Sequence, residues 1–327
     1  MSTNNMENGA VMENTVKPAP TWGTLPDDVK EMIVNRMGII SRNQLKWTSR
    51  DNMQLVSSIP LHLKNFKIYE KGGIACIDCA DGLTIEMDNL IAQSMQSHWQ
   101  LYLGEEVEDE RRVYLPDDME HFSPLYLLKK WLKRFLCTTK IRVQNFRADY
   151  DPPSELLDED YSIRVDRLYF ETFEIGSDRI MDWITLCAPG LKQIETYEEY
   201  SSTVDSSRVL RGIGLIHQVI NCQGLIIKRH NDINDEQLLS FKATQLEIKH
   251  SNITCNGIRQ LIKKWINEDY PVGSKFESDL KELAMVLEGL TYERLDANHL
   301  KVRIQMENGK QLIMEMKYRI EIYVEKV

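Results

Sequence analysis

The chain has 327 residues, enough for one small module joined to a larger domain. Its hydrophobic share of 42% and charged share of 28% are those of an ordinary globular protein, and its net charge of −10 argues against a nucleic-acid surface. No N-terminal apolar leader and no apolar run long enough for a membrane span is present, so the expected setting is cytoplasmic or nuclear, with no membrane partner. Of the cysteines, Cys76, Cys79, Cys137, Cys187, Cys222 and Cys255, most lie in apolar runs and read as small reduced hydrophobes. Cys76 and Cys79 have CxxC spacing, but no second Cys/His pair follows to complete a metal site.

In chain order, residues 1–20 are polar and asparagine-rich and end in Pro-Ala-Pro, the composition of a disordered leader. Trp22 to Val56 then reads as a compact helical piece, taken with its flanks as residues 21–58. Thr24 is a candidate cap, Pro26 suits the first turn, and Asp27 and Asp28 place acid at the helix start. Val29, Met32, Ile33 and Met37 recur at helical spacing as one apolar stripe, which Gly38 ends. Ser41 opens a second short helix containing Leu45. Thr48 or Ser49 caps a third, carrying Met53, Leu55 and Val56, which Pro60 stops.

The ordered run LPDDVKEMIVNRM…SRNQLKWTSRDNMQLV resembles an F-box, most closely the expanded F-box families of nematodes. The resemblance implies that Leu25, Pro26, Val29, Ile33, Met37 and Leu45 bind the Skp-type adaptor of a cullin ubiquitin ligase. Two positions depart from the pattern: Ile39-Ile40-Ser41 replaces the usual transition into the second helix, and Trp47 stands where smaller residues are common.

Residues 59–327 are expected to form an α+β or α/β domain. FKIYE, IACI and LTIEM read as short strands separated by Gly72-Gly73 and Asp81-Gly82 turns. Residues 104–120 are acid-rich and read as a solvated loop. PLYLLKKWLKRFL from Pro124 reads as an amphipathic helix packed on a sheet, and IRVQNF as the next strand.

A weak repeat follows. Leu168, Phe170 and Ile175 precede Ile180, Trp183 and Ile184; Leu225, Ile227 and Ile233 precede Leu238 and Leu239; Leu246, Ile248 and Ile253 precede Ile258, Leu261 and Trp265. Each unit reads as a short strand, a polar turn and an amphipathic helix, with Ser177, Asn234 and Thr254 as candidate caps, and Leu191–Ile194 supplies a strand of a further unit. The spacing predicts a degenerate leucine-rich-repeat-like solenoid without the consensus asparagine ladder; the competing reading is an α/β domain of coincidental spacing. SDLKELAMVLEGL reads as a helix. Residues 298–327 alternate strictly and predict an antiparallel hairpin turning at Asn308-Gly309, with a third strand after it. This ending also resembles the F-box-associated domains of the nematode families.

No phosphate loop, GxSxG, HExxH or kinase pattern is present, and pairs such as Glu198-Glu199 lie in polar loops. His230 and His250, just after repeat strands, are expected to be neighbours without forming a metal site. No catalytic, cofactor-binding or metal residue is expected, and no enzyme. Arg229, His230, Lys249 and His250 are the candidate target-binding residues, by their place at strand ends. The reading is a substrate-recognition subunit that binds a Skp-type adaptor and a target protein. The alternative is a non-enzymatic interaction scaffold of solenoid type with a helical cap and no link to ubiquitin ligase.

Overall fold

The computed structural model describes residues 21–71, 74–79, 83–87, 98–103, 111–114, 141–150, 152, 162–171, 175–197, 209–279, 282–296, 300–306, 309–316 and 319–327. The helices α1 (Asp27–Arg36), α2 (Ile39–Lys46) and α3 (Arg50–Ser58) come first. Pro26 is the N-cap of α1, with Asp27 and Asp28 in its first turn. α2 starts two residues before Ser41. Ser49 caps α3, accepting from the Asn52 N–H. A short 3-10 turn at Trp22–Thr24 is tied to α3 by the Trp22 indole, which donates to Asn52 Oδ1 at 2.9 Å.

Val34, Val56 and Ile59 form a small apolar cluster under these helices, with Trp22, Met37, Leu45 and Leu55 packed against it. Arg42 is buried within the module. Its Nε donates to Met37 O and its Nη1 to Ile59 O, so one guanidinium joins the end of α1 to the start of the sheet.

One sheet carries the rest of the chain, in the order β12-β13-β14-β15-β11-β10-β9-β8-β7-β6-β1-β2-β3-β4-β5. Its strands are β1 (Leu61–Lys71), β2 (Ile74–Cys79), β3 (Leu83–Met87), β4 (His98–Leu103), β5 (Arg111–Tyr114), β6 (Ile141–Ala148), β7 (Arg164–Phe170), β8 (Gln193–Thr196), β9 (Gly224–Ile227), β10 (Gln245–Ile248) and β11 (Lys275–Ser278), then β12 (Glu293–Asp296), β13 (Leu300–Gln305), β14 (Lys310–Met316) and β15 (Ile320–Lys326). β1 and β6 through β11 form a parallel ladder, each of β6 to β11 pairing with the next in sequence. Antiparallel strands extend the sheet at both ends. The chain is therefore a mixed α/β protein.

The helices α4 (Ser177–Leu186), α5 (His217–Asn221), α6 (Asp235–Ser240) and α7 (Cys255–Asn267) fill the connections between β7 and β11, and α8 (Leu283–Leu287) follows β11. Parallel strands need such crossovers, and each crossover buries its apolar stripe on the sheet. The largest core cluster runs along the whole ladder. Phe66, Phe146, Leu168, Ile194, Leu225 and Leu246 lie in register on one face, against Ile180, Trp183, Leu238, Ile258 and Trp265 of the helices. The opposite face carries polar, partly exposed side chains, unlike a doubly wound sheet whose strands are covered on both sides.

The turns after the parallel strands are stitched from unit to unit, which satisfies backbone groups that no ladder reaches. Asp149 accepts from the Glu171 N–H, Thr196 Oγ from the Lys228 N–H, and Asp279 from the His250 N–H. The Asn231 amide donates to both Arg229 O and Lys249 O. No full asparagine ladder was expected; this one buried asparagine bridges two adjacent turns.

Several expectations need correction. Residues 111–114, read as part of a solvated loop, form strand β5, where the short apolar content of RRVY is enough because β4 supplies the ladder. Ser177 is the first helical residue of α4, whose N-cap is Gly176 with no side-chain cap, whereas Asn234 and Thr254 cap as expected. The helix read from Ser278 shortens to α8, because Ser278 belongs to β11. The terminal hairpin pairs Gln305 with Gln311, and the Met306 N–H reaches Lys310 O, so its register is one residue off that of a two-residue turn at Asn308-Gly309; Gly309 takes the positive φ of 72°. The antiparallel end has a further strand, β12. The helix read from Pro124 and the leader 1–20 lie outside the described residues.

Helices α6 and α7 meet so closely that position 257 has no room for a side chain. A Cβ on Gly257 would lie 2.1 Å from Asp235 Oδ1, and that carboxylate accepts from the Thr254 N–H and hydroxyl at 2.7 and 2.6 Å. Gly257→Ala is expected to displace Asp235 and lower stability by about 1–2 kcal/mol, even after the gain in helix propensity, read as a fall in thermal midpoint. An unchanged or raised midpoint would mean that the contact is not needed.

Candidate protein-binding surfaces

The first surface is on the helical module. Val34 is the α1 side chain that fills the small core, so the residues on the other side of the helix turn outward. Val29 and Ile33, one turn apart, are half-buried and stand outside the small cluster, as does Leu25; Pro26 is exposed. Met32 beside them is 51% exposed. Met37 and Leu45 are instead half-buried packing groups of the module itself. The structure thus leaves Leu25, Pro26, Val29 and Ile33 outside the module's core cluster and packs Met37 and Leu45 against it. Trp47, 87% exposed, and Met53 add apolar area on the module.

The second surface is the polar face of the parallel ladder and the turns at its strand ends. His230 and His250 are neighbours, with ring centroids 4.4 Å apart, and His250 Nδ1 lies 3.4 Å from Asp279. His250 holds a left-handed backbone, φ 49°. Lys249 pairs with Glu247. Arg229 does not join this surface. It is almost fully buried, and its Nη1 donates to Ile175 O at 2.9 Å, so it ties two turns together beneath the face. A charged residue at a strand end reads as exposed in a sequence, but here the turn folds inward and supplies a carbonyl to hold it. Among the described residues, no group of three or more His, Cys, Asp or Glu could hold a metal ion.

The outward face is charged at both ends. Around β10, β11 and β15, Glu247, Glu277 and Glu321 lie side by side in register. Burial and the neighbouring Glu277 carboxylate raise the Glu247 pKa, against the pull of Lys228, Lys249 and Arg319. Burial works against the Lys275 ammonium, yet Glu277 and Glu321 hold it charged. At the other end, Arg142 and Lys192 both donate to Asp166. Burial pushes that carboxyl up, but the two cations together hold it below the usual range.

Lys67, Arg147 and Arg167 line a concavity of about 490 Å³ across β1, β2, β6 and β7, together with Tyr169 and the carboxylates of Asp78 and Glu171. These cations were not singled out from the sequence. Their signal was the setting of cations between apolar residues in FKI, IRVQNFRA and RVDRL, but the buried residues skip two positions from Val143 to Phe146 and from Val165 to Leu168, so a strict period of two would have turned Arg167 inward. The cysteines Cys187 and Cys222 are buried in the core, which pushes both thiols up to about 12, so neither is a thiolate nucleophile at neutral pH.

With this geometry in place, comparisons with known proteins add two likenesses. Residues 213–282 match a family model described as Domain of unknown function (DUF3557), a span running from the turn before α5 to the segment after β11. An Uncharacterized F-box protein T20B12.4 of Caenorhabditis elegans is 20% identical over 303 residues, covering 84% of this chain and 75% of its own. No solved structure matches the chain. Among the described residues, no helix is long and apolar enough to cross a membrane.

Proposed function

We propose that this chain is the target-recognition subunit of an SCF-type ubiquitin ligase, working in the cytoplasm or nucleus. Helices α1–α3 act as an F-box that docks on a Skp-type adaptor, and the ladder, a degenerate leucine-rich-repeat-like solenoid, holds a target protein. The observation that carries the reading is the apolar surface of Leu25, Val29, Met32 and Ile33, left outside a module whose own core is filled by Val34, Val56 and Ile59. Apolar side chains grouped in this way mark a place that another protein covers. The printed name of the worm relative supports the F-box reading, and the sequential parallel order of β6 to β11 supports the repeat reading.

The chain contributes no chemistry of its own in this account. Binding the adaptor at one end and a target at the other raises the target's concentration at the ligase's catalytic arm, and the transfer is performed there. Burial of several apolar side chains, at roughly 25 cal/mol per Å2, drives the docking, offset in part by the entropy of association.

A second reading, a scaffold whose helices only cap the sheet, draws support from the buried Arg42 that joins the module to Ile59 O. Expression of residues 59–327 separates the two. The F-box reading expects a folded fragment that has lost adaptor capture, because the large core runs along the sheet and, among the described residues, includes none of α1–α3. The capping reading expects the fragment to unfold.

A further inference from the structure

We propose that the concavity across β1, β6 and β7 receives an acidic segment of the target protein, its carboxylates held by Lys67 and Arg167. That the occupant is a ligase target rests on the function proposed above; the preference for acid rests on the face itself. Strand register sets Lys67 directly beside Arg147, and Asn145 beside Arg167, so neighbouring strands present their cations outward in adjacent rows.

The pairing of these cations shows which are available. Arg147 is bridged to both Asp149 and Glu171, and Lys67 lies over the Tyr69 ring, 4.1 Å from its centroid. Arg167, Arg164 and Lys64 are exposed and have no ion pair among the described residues. At the far end of the same face the reverse holds. Lys228, Lys249, Lys275 and Arg319 are matched to Glu195, Glu247, Glu277 and Glu321. Asp78 faces Lys67 across the β1–β2 pair, and the unpaired cations Arg167, Arg164 and Lys64 still outnumber it at this end of the face, in a chain whose net charge is −10. An acidic segment is drawn to this end and gains nothing from the ion-paired row at the other, which fixes its place. The available arginines also suit carboxylates, whose two oxygens meet the guanidinium fork. The backbone groups of β6 and β7 are engaged in ladders on both sides, so recognition on this face falls to side chains.

The test is fluorescence anisotropy of a labelled hexaglutamate peptide titrated with the full chain, beside hexaglutamine and an oligothymidylate of similar length. Hexaglutamate should bind, weaken as salt rises, and outcompete both other probes. Combined Lys67→Glu and Arg167→Glu should weaken it by about tenfold or more, whereas Lys242→Glu, exposed and away from this concavity, should leave it unchanged. Should the double reversal disturb folding, Lys67→Gln with Arg167→Gln should still weaken binding. The proposal is overturned by absence of binding at low salt, by equal binding of the double variants, or by oligothymidylate binding as tightly as hexaglutamate. Adaptor capture is read on the same samples: loss of capture with peptide binding intact counts against the ligase reading and supports the acidic-segment site.

Discussion

Trp183→Ala is expected to lower unfolding free energy by about 3–5 kcal/mol, a large part of what a domain has to lose. Trp183 is fully buried at the centre of α4. Its ring meets Phe146 of β6 edge-to-face at 5.1 Å, and Phe146 meets Phe66 of β1 at 5.5 Å, so one aromatic chain runs from helix to sheet. The indole N–H also donates to Tyr150 O at 2.7 Å, holding the turn that leaves β6. Truncation removes the apolar contact, opens a cavity under two strands and leaves that carbonyl without this donor. The midpoint of urea unfolding reads the change. Trp183→Phe should recover part of the loss, since it refills the space without restoring the hydrogen bond. A shift below about 1 kcal/mol for Trp183→Ala would mean that the aromatic chain does not hold the ladder together.

Ile33→Asp is expected to abolish capture of a Skp-type adaptor while leaving the fold intact. Ile33 is half-buried but outside the small cluster of Val34, Val56 and Ile59, so in the free chain the new carboxylate keeps part of its water. In a docked complex it would be buried among apolar groups with no partner, at a cost of several kcal/mol, enough to weaken binding a hundredfold or more. Val34→Asp gives the contrast: it strikes the fully buried position and should unfold the module instead. Circular dichroism of both variants separates the two effects. Equal capture by wild type and a folded Ile33→Asp chain would remove α1 from the interface.

Much of this architecture was legible in the sequence because period and punctuation agreed. Val302, Ile304, Met306, Leu312 and Met314 are buried as read, although Ile313 is buried between the last two and Met316 only partly. The Asn234 and Thr254 caps announced α6 and α7, where a polar side chain and an amphipathic stripe pointed the same way. What was not legible depended on contacts distant in sequence. Strand β5 exists because β4 offers a ladder, which local composition cannot record. Arg229 and Arg42 are interior because carbonyls of Ile175, Met37 and Ile59 come round to meet them, and a charged residue carries no local sign of that. On the helical module, the stripe from Val29 to Met37 was visible, but its division was not. Which residues face inward was decided by Val34, unmarked in the stripe, and by the placement of α3. The cationic end of the sheet face was hidden in another way, because it assembles residues from three strands separated by a long stretch of chain.

The central claim is that the apolar surface of α1 belongs to another protein. Size-exclusion chromatography of the purified full chain mixed with an equimolar Skp-type adaptor tests it most directly. The account predicts a single co-eluting one-to-one complex, from which the adaptor is absent when the Ile33→Asp chain is used; separate elution of the wild-type chain and the adaptor would contradict it.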